Sequence, residues 1–153
     1  MKSIFGRCSC SQVEYQIQGD PLFTHACHCT QCQRRSGGAF CMSTMVVADQ
    51  LVSIRGVTRE FEIAADSGNL KVNHFCDRCG TMLFGRGRAR PKVLFFRPGT
   101  FDDTRRVSPQ AHIWIRSRQP WTALPDDIPC FETSYEIESV WPDSSLRRLR
   151  DAK

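Results

Sequence analysis

The chain has 153 residues, enough for one domain of ordinary size, and is 41% hydrophobic and 24% charged, a balance that excludes wholesale disorder. The net charge of +5 favours anionic ligands but falls short of the footprint of a nucleic-acid specialist. No apolar run exceeds four residues, far below the roughly 18 of a membrane helix. The start, Met1 to Arg7, has no apolar core of signal-peptide length, so the expected location is cytoplasmic or an equivalent reducing space.

In chain order, Val13, Tyr15 and Ile17 alternate with Glu14, Gln16 and Gln18, the pattern of a half-buried strand. Thr30 to Arg35 suits a short helix. Phe40 to Val47 reads as a more buried strand. Asp49-Gln50-Leu51 opens either a turn or a strand running to Ile54. Phe61 to Ala64 and Leu70 to Phe75 are further short strands, and Val93 to Phe96 and His112 to Ile115 have the composition of core strands. Ser144 to Arg150 suits a second helix. Turn signals separate these elements, among them Gly19-Asp20-Pro21, Gly37-Gly38, Asp66-Ser67-Gly68-Asn69, Pro98-Gly99 and Pro125-Asp126-Asp127. Many short strands with frequent turns predict a mostly-β domain with few short helices.

Nine cysteines stand out. They amount to about 6% of the chain, below the roughly 8–10% of a disulfide scaffold. Without an export signal, metal ligation or thiol chemistry comes ahead of disulfides. Seven fall into three clusters: Cys8-Ser9-Cys10, Cys27-His28-Cys29-Thr30-Gln31-Cys32 and Cys76-Asp77-Arg78-Cys79-Gly80. Residues two apart in an extended segment point the same way, so Cys8 and Cys10 present two thiolates to one ion. A tight turn does the same for Cys76 and Cys79, with Gly80 free to take a positive φ. Two pairs complete a closed tetrahedral zinc shell, the mark of a structural site. Cys27, Cys29 and Cys32 offer three thiolates and leave the fourth position open for chemistry.

Spacing alone does not fix this four-plus-three pairing; a single zinc with three spare thiols is the rival. His28, between two ligands of an extended segment, points away from the metal. His25 or His74 can supply a fourth ligand or serve as hydrogen-bonded structural histidines. Cys41 and Cys130 read as small hydrophobes. Arg34 and Arg35 follow the open site, either as a solvated face or as compensation for thiolates and an anionic ligand. Trp114 and Trp121 read as core more than as a substrate platform. A basic stretch, Arg86, Arg88, Arg90, Lys92, Arg97, Arg105 and Arg106, is interleaved with Phe95, Phe96 and Phe101.

The three clusters, with Gly6-Arg7 before the first, Gly37-Gly38-Ala39-Phe40 after the second and Phe75 before the third, resemble the glutathione-dependent formaldehyde-activating enzyme family, which also contains centromere protein V. His112-Ile113-Trp114 and Gln119-Pro120-Trp121 resemble the family's C-terminal part. The likeness covers about residues 3–122 of a single zinc-binding β domain, 1–153, in which 123–153 form an extension or tail. It implies several coiled β-sheets of the zinc-bearing β-tent type. It also implies a structural zinc on Cys8, Cys10, Cys76 and Cys79, a catalytic zinc on Cys27, Cys29 and Cys32, and glutathione as co-substrate. The implied reaction joins a small-molecule thiol and an aldehyde, glutathione and formaldehyde, to S-hydroxymethylglutathione, in reverse a carbon–sulfur lyase. Ser11 stands where the family commonly has glycine, and Gln33 where arginine is usual; neither change removes a ligand. The alternative is a non-catalytic, zinc-stabilised module binding nucleic acid or a protein.

Overall fold

The computed structural model describes residues 2–65 and 68–152. Eleven strands form two sheets among these residues. The small sheet has β1 (Ser3–Arg7), β2 (Glu14–Gln18) and β5 (Leu51–Arg55), with β2 in the middle. The large sheet adds β3 (Phe23–Cys27), β4 (Cys41–Val47), β6 (Thr58–Ala64), β7 (Leu70–Cys76), β8 (Met82–Gly87), β9 (Arg90–Phe96), β10 (Ala111–Ile113) and β11 (Cys130–Phe131). Its order is β11-β10-β3-β4-β9-β8-β7-β6. The helices are short: α1 (Thr30–Ser36), α2 (Ile137–Val140) and α3 (Asp143–Asp151). The mostly-β expectation holds, and no helix among the described residues is long and apolar enough to cross a membrane.

Strand alternation divides the interior in two. On β9, Leu94 and Phe96 face the small sheet and pack with Ile4, Tyr15, Ile17 and Leu83. Val93, from the other face of β9, packs with Phe23, Met45, Val47 and Trp141. A strand covered on both faces loses its polar alternation, which is why β4 and β9 read as apolar runs.

Three differences from the expected elements have physical causes. β1, β3 and β8 carry Gly6, the polar pair Thr24-His25, and Gly85 with Gly87, which weaken a strand signal that neighbouring strands restore. Residues 48–50 form a single 3-10 turn before β5, so the turn and strand readings of Asp49-Gln50-Leu51 each describe part of the segment. The strand expected over His112 to Ile115 stops at Ile113, because Trp114 takes a left-handed backbone conformation with φ 58°. Part of the turn expected at Asp66-Ser67-Gly68-Asn69 lies outside the described residues. Beyond residue 122 the chain joins the fold: β11 pairs in parallel with β10, and Trp141 stacks on Phe23 at 5.7 Å between ring centroids.

Candidate metal centres and the adjoining cavity

The first cluster is assembled by two knuckles. After β1, the Ser11 N–H donates to the Cys8 carbonyl at 2.9 Å, closing a turn that swings Cys10 beside Cys8. After β7, the Gly80 N–H donates to the Cys76 carbonyl at 3.0 Å, and Gly80 takes φ 70° as the spacing predicts. Thr81 bridges the knuckles: its Oγ1 lies 3.0 Å from Ser9 Oγ and accepts from the Ser9 N–H at 3.2 Å. The sulfurs of Cys8, Cys10, Cys76 and Cys79 all lie within 4.8 Å of one another, with Cys8–Cys10 at 3.5 Å and Cys10–Cys76 at 3.8 Å. A tetrahedron with Zn–S bonds of about 2.3 Å has sulfur–sulfur edges of about 3.8 Å. The donor set therefore fits one four-coordinate soft metal ion. The Thr81 hydroxyl, 3.2 Å from Cys79 Sγ, brings that thiol down to about 5, which favours the ligating thiolate.

The second cluster follows from a strand running into a helix. Cys27 ends β3, Cys29 is the N-cap of α1, and Cys32 lies in its first turn. The Cys29 sulfur accepts from the Cys32 N–H at 3.4 Å, an ordinary capping contact made with sulfur in place of oxygen. One extended step and one helical turn thus bring three sulfurs within 4.8 Å of one another. Cys27 and Cys29 are buried, and all three thiols line a cavity of about 340 Å³. Hydrogen bonds from Cys27 and then Cys29 hold the Cys32 thiol well below its ordinary value. Three soft donors lining a cavity fit a metal ion that would have a coordination position left for another ligand.

The histidines fall into place around these clusters. His28 points away from the thiols, as an extended segment requires, and its Nε2 lies 2.9 Å from His112 Nδ1 in a buried pair. The outer nitrogens of that pair, His28 Nδ1 and His112 Nε2, have no hydrogen-bond partner. His25 lines the cavity with Nδ1 3.0 Å from the Tyr135 hydroxyl; burial, then Lys71 and Arg97, bring it down to about 3 and keep it neutral. His74 stacks on Phe84 with ring centroids 4.3 Å apart and belongs to neither cluster.

Of the two arginines expected near the open site, Arg35 lines the cavity, whereas Arg34 is exposed and does not. Gln33 is turned away from it, with its amide between the His28 and Ser117 carbonyls. Trp114 lines the cavity and Trp121 is exposed. Cys41 is buried and Cys130 half-buried. The reading of the sequence missed Lys71, Asn73, Arg97 and Tyr135 as cavity residues. The available signal was Gly85-Arg86-Gly87, two glycines on one face of a strand.

The fold and these sites define a class: mostly-β proteins in which one four-thiol and one three-thiol cluster converge in metal-ligand geometry. The family model described as glutathione-dependent formaldehyde-activating enzyme matches residues 3–117. The chain belongs to that family. A Fusarium vanettenii relative, named provisionally a glutathione-dependent formaldehyde-activating enzyme, is 31% identical over 80 residues, 52% of this chain and 42% of its own length. A Talaromyces marneffei relative of the same name is 28% identical over 83 residues, 54% of this chain and 43% of its own length. The matched region thus spans less than half the length of these relatives. A crystal structure of a Rhodobacter sphaeroides protein superposes with a TM-score of 0.51 at 20% identity, covering 69% of this chain and 91% of that one, a likeness of fold.

Proposed function

We propose that the chain is a zinc-dependent carbon–sulfur lyase acting on S-hydroxymethylglutathione or a related thiol adduct, in the joining direction a glutathione-dependent formaldehyde-activating enzyme. The observation that carries this reading is the difference between the two thiol clusters. Cys8, Cys10, Cys76 and Cys79 supply a complete donor set, whereas Cys27, Cys29 and Cys32 supply three donors and border a cavity large enough for a substrate. On this reading the first set holds a structural zinc and the second a catalytic one.

Zinc, when bound by Cys27, Cys29 and Cys32, supplies Lewis acidity and an affinity for a substrate sulfur. Three thiolates leave the centre with a net charge of about −1, which favours holding a thiolate over strong activation of water. The chain's own residues do the rest. In the joining direction the thiol loses its proton, its sulfur bonds to the aldehyde carbon, and the carbonyl π pair moves to oxygen, which takes up a proton. Arg35, Lys71, Arg90 and Arg97 give the cavity a positive potential. Ile113 and Trp114 pack against the thiol cluster and limit the water around it.

The binding-module alternative draws less support. Several cations of the 86–106 stretch are engaged separately: Arg88 with Glu62, Arg105 with Asp103 and Lys92 with the Ala152 carbonyl, while Arg90 and Arg97 line the cavity. The test is the rate of adduct formation from glutathione and formaldehyde over the spontaneous reaction, with Cys29→Ser as control. Acceleration by the wild type alone is expected; a spontaneous rate for both proteins overturns the reading.

A further inference from the structure

The sheet face that carries Cys27 continues into a trench. Lys71 and Asn73, two residues apart on β7, project from the same face. Their register partners on β8 are Gly87 and Gly85, and Phe95 on β9 lies opposite Gly85. The glycines leave open ground between β7 and β9. A Cβ on Gly85 would stand 2.4 Å from Asn73 Oδ1, so the Asn73 carboxamide occupies the room that glycine leaves. Lys71 Nζ lies 4.9 Å from the Phe95 ring centroid.

Several features point to an anion here. Asn73 is 1% exposed, and its Nδ2 has no hydrogen-bond partner, a cost that a buried donor ordinarily avoids. The ion pairs among the described residues involve neither Lys71 nor Arg97. The Arg97 guanidinium donates to neutral groups, the Met42 carbonyl at 3.1 Å and Ser43 Oγ at 2.7 Å. Among the described residues lining the cavity there are four cations and no carboxylate. A thiolate-zinc centre of net charge about −1 offsets only part of four cations, and partly desolvated cations in excess are costly unless a ligand brings further negative charge.

We propose that Lys71 and Asn73, with Arg97, form a carboxylate subsite that recognises an acid group on the reactant held at Cys27, Cys29 and Cys32. This rests on the thiol-adduct reading of the cavity and narrows it to acid-bearing reactants. Lys71 Nζ and Asn73 Nδ2 supply the N–H donors, and the carboxylate belongs either to the thiol or to the aldehyde.

The test is tryptophan fluorescence titration of the zinc-loaded full chain, since Trp114 and Trp141 line the cavity. S-methylglutathione offers carboxylates without a free thiol, glyoxylate offers one on an aldehyde, and 2-mercaptoethanol offers a thiol alone. Lys71→Gln is expected to weaken at least one acid probe tenfold or more relative to 2-mercaptoethanol, at unchanged zinc content; which probe weakens identifies the source of the carboxylate. Asn73→Asp, isosteric and giving Lys71 an internal partner, is expected to act in the same direction and serves if Lys71→Gln fails to fold. Wild type that binds neither acid probe, variants that bind both as wild type does, or equal losses for acid and neutral probes overturn the subsite. Failure of the thiol reading looks different: wild type ignores 2-mercaptoethanol, yet the acid probes still separate wild type from variant.

Discussion

Gln33 Nε2 donates to the main-chain carbonyl of His28 at 2.7 Å, tying α1 back to the loop between two of the clustered cysteines. The same nitrogen donates to the Ser117 carbonyl at 2.8 Å, and Gln33 Oε1 accepts from Gln119 at 2.7 Å. Gln33 therefore acts as a brace for the thiol loop. Gln33→Leu strips the two carbonyls of this donor and leaves the Gln119 amide without its acceptor. The expected cost is about 1–3 kcal/mol in urea unfolding, together with faster loss of zinc from the three-thiol cluster to a chelator. Unchanged stability would show that water replaces the brace.

Zinc content separates the two clusters. Purified protein is expected to carry about two zinc ions, falling to about one in Cys27→Ser with the fold retained. Cys76→Ser is expected to lower thermal stability strongly, because its site joins residue 8 to residue 76 across the chain and metal binding there adds folding free energy. One zinc in both wild type and Cys27→Ser would favour a single occupied site.

Ser11 adopts φ 59°, a left-handed conformation that costs a non-glycine residue roughly 1–2 kcal/mol. This explains a glycine preference at the position. Ser11→Gly is expected to raise stability by about 0.5–1 kcal/mol, since greater freedom in the unfolded chain offsets part of the relief. Chemical denaturation midpoints measure it, and a lower midpoint would count against strain at this residue.

Trp141 is buried, stacks on Phe23 and donates its indole N–H to the Tyr135 hydroxyl at 3.0 Å. Tyr135 in turn lies 3.0 Å from His25 at the cavity wall. Trp141→Ala is expected to cost about 3–5 kcal/mol and to loosen the wall formed by Tyr135. Thermal unfolding reports the first effect and substrate affinity the second. Little change in either would mean that Trp141 does not hold this wall in place.

Much of the clustering of the thiols was legible in local spacing. The C-x-C and C-x-x-C steps are short enough that local backbone geometry aims the sulfurs: an extended step for Cys27 and Cys29, a capped helical turn for Cys29 and Cys32, and a Gly80-closed knuckle for Cys76 and Cys79, whereas Cys8 and Cys10, expected on an extended step, are brought together by a turn closed by the Ser11 N–H on the Cys8 carbonyl. The buried strands β4 and β9 were legible for a similar reason, since burial on both faces removes polar alternation. β8 was not, because its glycines carry no strand preference and make sense only opposite Lys71 and Asn73.

The sequence by itself determined which sulfurs converge within each local cluster and that the domain is mostly β. Tertiary structure decided which clusters meet, that His28 pairs with His112, that Gln33 braces a loop, and that Lys71, Asn73 and Arg97 share a cavity with the three thiols. Local spacing is governed by bond geometry over a few residues. Pairings such as residue 8 with 76, or 28 with 112, depend on strand order and register, which are set by burial across the whole sheet.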